Sequence, residues 1–289
     1  INYYCLCRLS LKIITIRIDQ LMVATFLFYS GYGIYESIKY KSNYFDTFLK
    51  NRFLKVYIPF FIAIILFIIM NLILQIKFPI KTVLLSFIGW KAIGNSNWFM
   101  FYTFFMYVGI YISFKIFKNK HKLALILIFL FSLIYIYMSI KVGKKVYWYN
   151  TSLCFPFGML FSCYKDKLLK ILKNNNLFYI IFIFLLFLFL IVYKLREEWL
   201  YFNFSSVIFV IIITLFSFKI KIGNKILYWI GKNTFNIYIL QRISYIIFKH
   251  FGIDKINIYL YFLFSTILTI EITLLFNKLI KKIYRLVNI

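Results

Sequence analysis

The densest run of polar side chains inside an apolar stretch is Trp229-Ile-Gly-Lys-Asn-Thr-Phe-Asn-Ile-Tyr-Ile-Leu-Gln-Arg242. Asn236, Gln241 and Arg242 are costly against lipid, so they are expected to face a bundle interior or a water-filled cavity, where an intramembrane cation marks a functional site. Snorkelling of Arg242 to an interface is the other reading. A second basic element, Lys50-Asn-Arg-Phe-Leu-Lys-Val-Tyr-Ile-Pro59, offers Arg52. Its planar fork can hold phosphate oxygens through paired hydrogen bonds, although an Arg in such a loop also serves as a positive-inside anchor. Ser30-Gly31-Tyr32-Gly33 invites comparison with a potassium filter, but Phe28-Tyr29-Ser30 stands where a filter needs Thr-Val. Small residues that let helices approach closely explain it better.

Other chemistries find little support. His121 sits among Lys118, Lys120 and Lys122, and His250 follows Lys249, so both read as solvated interfacial residues without a catalytic role. Glu197 and Glu198 are neighbours in a loop and Glu271 is solitary in an apolar run, which gives no carboxylate pair for acid–base work. Cys5, Cys7, Cys154 and Cys163 form no CxxC pair and have no His at ligand spacing, so no metal is expected.

The elements that must carry these residues follow from composition. Of 289 residues, 63% are apolar and 15% charged, with 35 Lys and Arg against 8 Asp and Glu. Soluble domains are roughly 45–50% apolar and about 25% charged, so most of this chain is solvated by lipid. Nine runs approach the length of about 20 residues that a span needs: 21–38, 57–76, 98–114, 123–140, 147–164, 177–193, 200–218, 233–248 and 256–277. Residues 80–90 are apolar but short, as in an interfacial or re-entrant helix. The fold class expected is all-α, a polytopic membrane bundle of about nine transmembrane helices in a single domain, 1–289. The net charge of +27 would suit nucleic acid, but the cations fall in small groups between apolar runs, so no nucleic-acid partner is expected. The connections 39–56, 115–122, 165–176, 219–225 and 278–289 hold 20 Lys and Arg, and the alternate set holds 13. The richer set is expected in the cytoplasm, with the C-terminus. The chain starts at Ile1 with no secretory leader pattern, and it is expected to lack its start.

Several segments, in order, resemble the membrane acyltransferase 3 family of bacterial polysaccharide and cell-envelope O-acyltransferases. They are Phe26-Leu-Phe-Tyr-Ser-Gly-Tyr-Gly-Ile-Tyr35, Phe48-Leu-Lys-Asn-Arg-Phe-Leu-Lys-Val-Tyr-Ile-Pro59, Asn95-Ser-Asn-Trp-Phe99, Trp148-Tyr-Asn-Thr-Ser-Leu-Cys-Phe-Pro-Phe-Gly-Met159 and Ile230-Gly-Lys-Asn-Thr-Phe-Asn-Ile-Tyr-Ile-Leu240. The resemblance implies ten spans with both termini cytoplasmic, and an essential His in the first span. Here the twenty residues before Leu21 hold Arg8 and Arg17 but no His, so the first family helix, and with it the catalytic base, is expected to be missing. Gln241 also stands where many members carry another His.

What the resemblance implies is transfer of an acyl group, acetyl above all, from cytoplasmic acetyl-CoA or another acyl-CoA to a hydroxyl of an envelope glycan, in the bacterial cytoplasmic membrane. No bound cofactor is implied beyond that donor. Arg52 matches the family's basic segment and is assigned to the cofactor phosphates, while Ser30, Trp98 and Arg242 are assigned to the reaction cavity. The catalytic residue stays unknown, and the chain alone is expected to be inactive. A transporter or flippase for lipid-linked sugars is the alternative from another class, but it would show internal repeats, and none is found. An inert fragment is the third.

Overall fold

A backbone in hydrocarbon must satisfy its own N–H and C=O groups, and runs this rich in Ile, Leu and Phe do so as helices. The structure is a computed structural model that describes residues 3–41, 44–96, 98–118, 120–220 and 223–287, with side chains from Asp19 onward. Among the described residues there are helices and turns and no strand. The helices are α1 (Tyr3–Tyr40), α2 (Lys55–Ile73), α3 (Ile80–Ser86), α4 (Trp98–Phe117), α5 (His121–Lys141), α6 (Cys154–Ile171), α7 (Asn175–Lys194), α8 (Trp199–Lys219), α9 (Lys225–His250), α10 (Ile253–Ile256) and α11 (Ile258–Leu286). A π-helical turn, Leu49–Leu54, leads directly into α2.

Six of these helices are long and apolar enough to cross a membrane: the Leu49–Ile73 helix, α4, α5, α7, α8 and α11. The other three expected spans fall on α1, α6 and α9, long helices carrying more polar side chains. The chain is a multi-pass membrane protein. Two expected boundaries move. Residues 147–153 are not helical, because a short 3-10 turn, Val146–Trp148, is followed by turns up to Cys154. Residues 3–20, expected as a connection, continue α1 without a break. The side chains of Cys5, Cys7, Arg8 and Arg17 lie outside the described residues.

Helix ends explain much of the polar composition. Asn174, Asn224 and Asn257 cap α7, α9 and α11 by accepting backbone N–H groups of the first turn. Most long helices finish with a cation in the last turn, as at Lys39, Lys115, Lys141, Lys170, Lys194, Lys219, Lys249 and Arg285. There the cation complements the helix dipole.

The described residues group into two compact units, 1–44 with 105–222 and 45–104 with 223–289. In the first unit α1 and α6 meet through glycines. A Cβ on Gly31 would collide with the Phe155 carbonyl, whose carbon would lie at 3.1 Å, and a Cβ on Gly158 would collide with the Phe28 carbonyl and approach the Phe28 Cα at 3.0 Å. Each helix thus rests on the other's backbone, as expected for Gly31 in a small-residue contact. Tyr29 hydrogen-bonds Thr214 of α8 at 2.9 Å, and Tyr35 donates to the Cys163 sulfur at 3.3 Å. At the same end of the pair Ser162 donates to Glu36 at 2.7 Å, and Lys165 lies 3.7 Å from that carboxylate. Lys39 joins them by donating to the Ser162 carbonyl. α7 has Phe178 as its one buried residue and packs on α8 through Phe178 and Leu215 with Leu172.

In the second unit α9 and α11 pair along a polar seam. Asn277 donates to Asn233 at 2.7 Å and accepts from Asn236 at 2.6 Å. Two turns further along, Thr269 donates to Ser244 at 3.0 Å.

The glycine contact makes a direct prediction. Gly158→Ala forces α1 and α6 apart and is expected to cost about 1–3 kcal/mol in unfolding free energy. Gly231→Ala, where a Cβ meets nothing within 4 Å, is expected to be neutral or to stabilise by up to about 1 kcal/mol. Unfolding titrations of the two variants in mixed micelles measure the contrast.

Candidate functional site

The second unit holds two constellations of charged and polar groups. The first begins at Arg52, half-buried in the π-helical turn before α2. α11 is 29 residues long, roughly 43 Å at 1.5 Å per residue, so its final turns run past the hydrocarbon thickness of about 30 Å. Those turns carry Lys281, Lys282 and Arg285, and Tyr284 among them donates to the Lys55 carbonyl at 2.7 Å. The basic end of α11 is thereby brought to Lys55 at the start of α2, directly after the turn that carries Lys50 and Arg52.

The second constellation is the loop before α4. Asn71 of α2 donates to the Ile93 carbonyl at 2.8 Å, and the Ile93 N–H donates to Asn95 Oδ1 at 3.0 Å. Gly94 has φ +109, a backbone conformation open to glycine, and its missing Cβ leaves room for Ile246 of α9 and Phe67 of α2. Next in the chain, Ser96 accepts from Arg242 at 3.3 Å. The Phe99 ring meets Tyr238 edge-on at 5.5 Å, one turn before Arg242. Trp98 opens α4 at the end of this loop.

Two of the expected cavity residues, Trp98 and Arg242, are thus brought to one loop, and Arg52 stands at the other constellation of the same unit. Ser30 belongs to the first unit, on α1 beside Gly31. Asn236 and Arg242 do not share one face of α9. Asn236 turns to α11, whereas Arg242 is exposed and turns to Ser96. Six residues at 3.6 per turn separate their directions by roughly 120°, so one face cannot hold both. His121 lies edge-on to Phe114 at 5.7 Å and to Tyr35 at 6.1 Å. His250 meets the Phe251 ring at 5.6 Å, two turns beyond Arg242.

A model of the acyltransferase 3 family, described as an acyltransferase domain, matches residues 8–278. The chain belongs to the acyltransferase 3 family. No curated protein and no solved structure matches it. The match takes in every segment named for the resemblance, so this acyltransferase has the Arg52 turn, the 93–98 loop and the α9 run inside its family domain.

Residues that sequence reasoning passed over include Asn203, Asn277 and Tyr284. Asn203 accepts from Leu153 N–H at 3.0 Å and donates to the carbonyls of Tyr149 and Trp199, each at 3.0 Å. It holds the 149–153 turns in the acyltransferase's first unit, where Asn150 donates to Gln20 at 2.5 Å. Buried Asn150 Oδ1, Thr151 Oγ and Ser206 Oγ have no protein partner among the described residues, the arrangement that ordered water or a hydroxyl ligand satisfies. The signal available for Asn203 and Asn277 is an amide inside an apolar run, the same one that marks the α9 run. Among the described residues no group of His, Cys, Asp and Glu could hold a metal ion.

Asn277→Ala removes the bridge between Asn233 and Asn236, leaving the Asn233 oxygen and the Asn236 amide without this partner. The expected loss is about 1–2 kcal/mol of unfolding free energy. In a double-mutant cycle with Asn236→Ala, coupling above about 0.5 kcal/mol confirms the bridge, and additivity denies it.

Proposed function

We propose that this acyltransferase takes its acyl group, acetyl above all, from a cytoplasmic acyl-CoA and delivers it to a hydroxyl of a bacterial envelope glycan in the cytoplasmic membrane. The observation that carries the donor half is the basic surface formed by the Arg52 turn and the end of α11. Coenzyme A is polyanionic, and a guanidinium set among lysines is suited to its phosphates. Tyr284 bound to the Lys55 carbonyl brings the end of α11 to the start of α2. This supports the reading that these two basic helix ends face the cytoplasm together, where the donor is.

The acceptor half rests on the loop before α4, where Arg242 donates to Ser96 and Trp98 follows. These three are assigned to the acceptor side of the reaction. Abstraction of the hydroxyl proton needs a general base, and a guanidinium stays protonated while hydroxyl and indole are poor bases. His121 is enclosed by aromatic rings, and His250 lies at the exposed end of α9. Neither is set to act on an acceptor hydroxyl, so the 289 residues alone are proposed to be inactive.

Arg52→Lys keeps the positive charge and loses the planar fork. In vesicles containing the purified chain, the dissociation constant for radiolabelled acetyl-CoA is expected to rise about ten-fold, or about 1.4 kcal/mol, with unchanged protease accessibility of the 39–56 connection. Unchanged affinity would reduce Arg52 to a topological anchor. In the same vesicles the chain is expected to transfer no label to added envelope polysaccharide, and measurable transfer would refute the proposed inactivity.

A further inference from the structure

α2 ends in a helix-termination pattern in which the Ile76 N–H donates to the Asn71 carbonyl at 2.8 Å and the Gln75 N–H to Leu72 at 3.2 Å. This is the pattern that ordinarily places glycine at the left-handed position. Here that position is Gln75, with φ 56. The turn sends the chain back along α2 and leaves a cavity of about 570 Å³, within the range of about 300–1,000 Å³ of small-molecule sites. Its apolar walls are Ile68, Leu72, Ile76, Phe78, Val83 and Ile93.

Three features narrow the occupant. The polar side chains of the wall are Asn71, which donates to the Ile93 carbonyl, and Gln75 and Lys77 at its rim, so six of the nine lining residues are apolar. Around it, Leu72, Ile80 and Leu84 are 73%, 79% and 64% exposed, which is the face a helix end presents to hydrocarbon. The charged side chain in the wall is Lys77, and the stretch 72–97 adds Lys81 and Lys91 with no acidic residue. An apolar slot open toward hydrocarbon and edged by cations fits a lipid with an anionic head better than any water-soluble ligand.

We propose that this cavity holds one hydrocarbon chain of an anionic phospholipid, with its phosphate on Lys77. Ile93 is at once a wall of the cavity and the residue through which Asn71 and Asn95 hold the loop that offers Ser96 to Arg242. A chain lodged against Ile93 supports that loop from behind, and an empty cavity leaves it unsupported on one side. The proposal stands independently of acyl transfer.

The test uses the full chain in phosphatidylcholine nanodiscs that contain a little phosphatidylglycerol with a photoreactive diazirine near the end of one acyl chain. Illumination and peptide mapping are expected to concentrate label within 68–93. Val83→Trp, which fills the slot, is expected to lower that label at least five-fold while labelling elsewhere is unchanged. Lys77→Gln, at an exposed position that tolerates exchange, is expected to reduce it to the level given by the same diazirine chain on phosphatidylcholine. Label spread evenly over the apolar surface, label unmoved by Lys77→Gln, or equal labelling by the two headgroups would overturn the proposal and leave only the ordinary lipid annulus. Should Val83→Trp fail to fold, Lys77→Gln and the headgroup comparison decide the matter alone.

Discussion

Helices already immersed in hydrocarbon gain little by hiding apolar side chains from lipid, so their association rests on close backbone approach and on side-chain hydrogen bonds. Everything specific in this acyltransferase is attached to such a contact. Gly31 and Gly158 let α1 and α6 touch backbone to backbone in the first unit. Asn277 ties two amides of α9 to α11 in the second. The Asn71, Asn95 and Arg242 contacts fix an irregular loop that apolar packing alone would leave undefined.

The same economy governs the charges. Lysines at helix C-termini complement the dipole at either face of a membrane, which accounts for three of the 13 cations in the poorer set of connections. Lys141, Lys194 and Lys249 of that set are last-turn residues of α5, α7 and α11's partner α9. The excess on the richer side therefore comes from what is added beyond the caps, above all Lys50, Arg52 and Lys55 and the end of α11. These are the cations that the Tyr284 hydrogen bond gathers.

How much of this could be read in advance depends on the distance over which each feature is set. Helices were legible because the spacing of charges along the chain bounds apolar runs, and the π-turn into α2 only lengthens one of them. Gly31 was legible as a packing residue from the small residues around it. The break at 147–153 was not, since it depends on Asn203, some fifty residues away, capturing Leu153 and Tyr149. The partner of Lys55 lies 229 residues on, beyond any periodicity. The partners of Asn236 and Arg242, on α11 and at Ser96, lie 41 and 146 residues away and were equally out of reach.

The central claim is that the basic surface of the Arg52 turn and the α11 end receives the acyl donor. A photoreactive acyl-CoA analogue added to membranes containing the chain tests it most directly. Label in both 49–55 and 278–287, removed by excess coenzyme A, is the predicted result. Label confined to other segments, or unaffected by coenzyme A, would contradict the account.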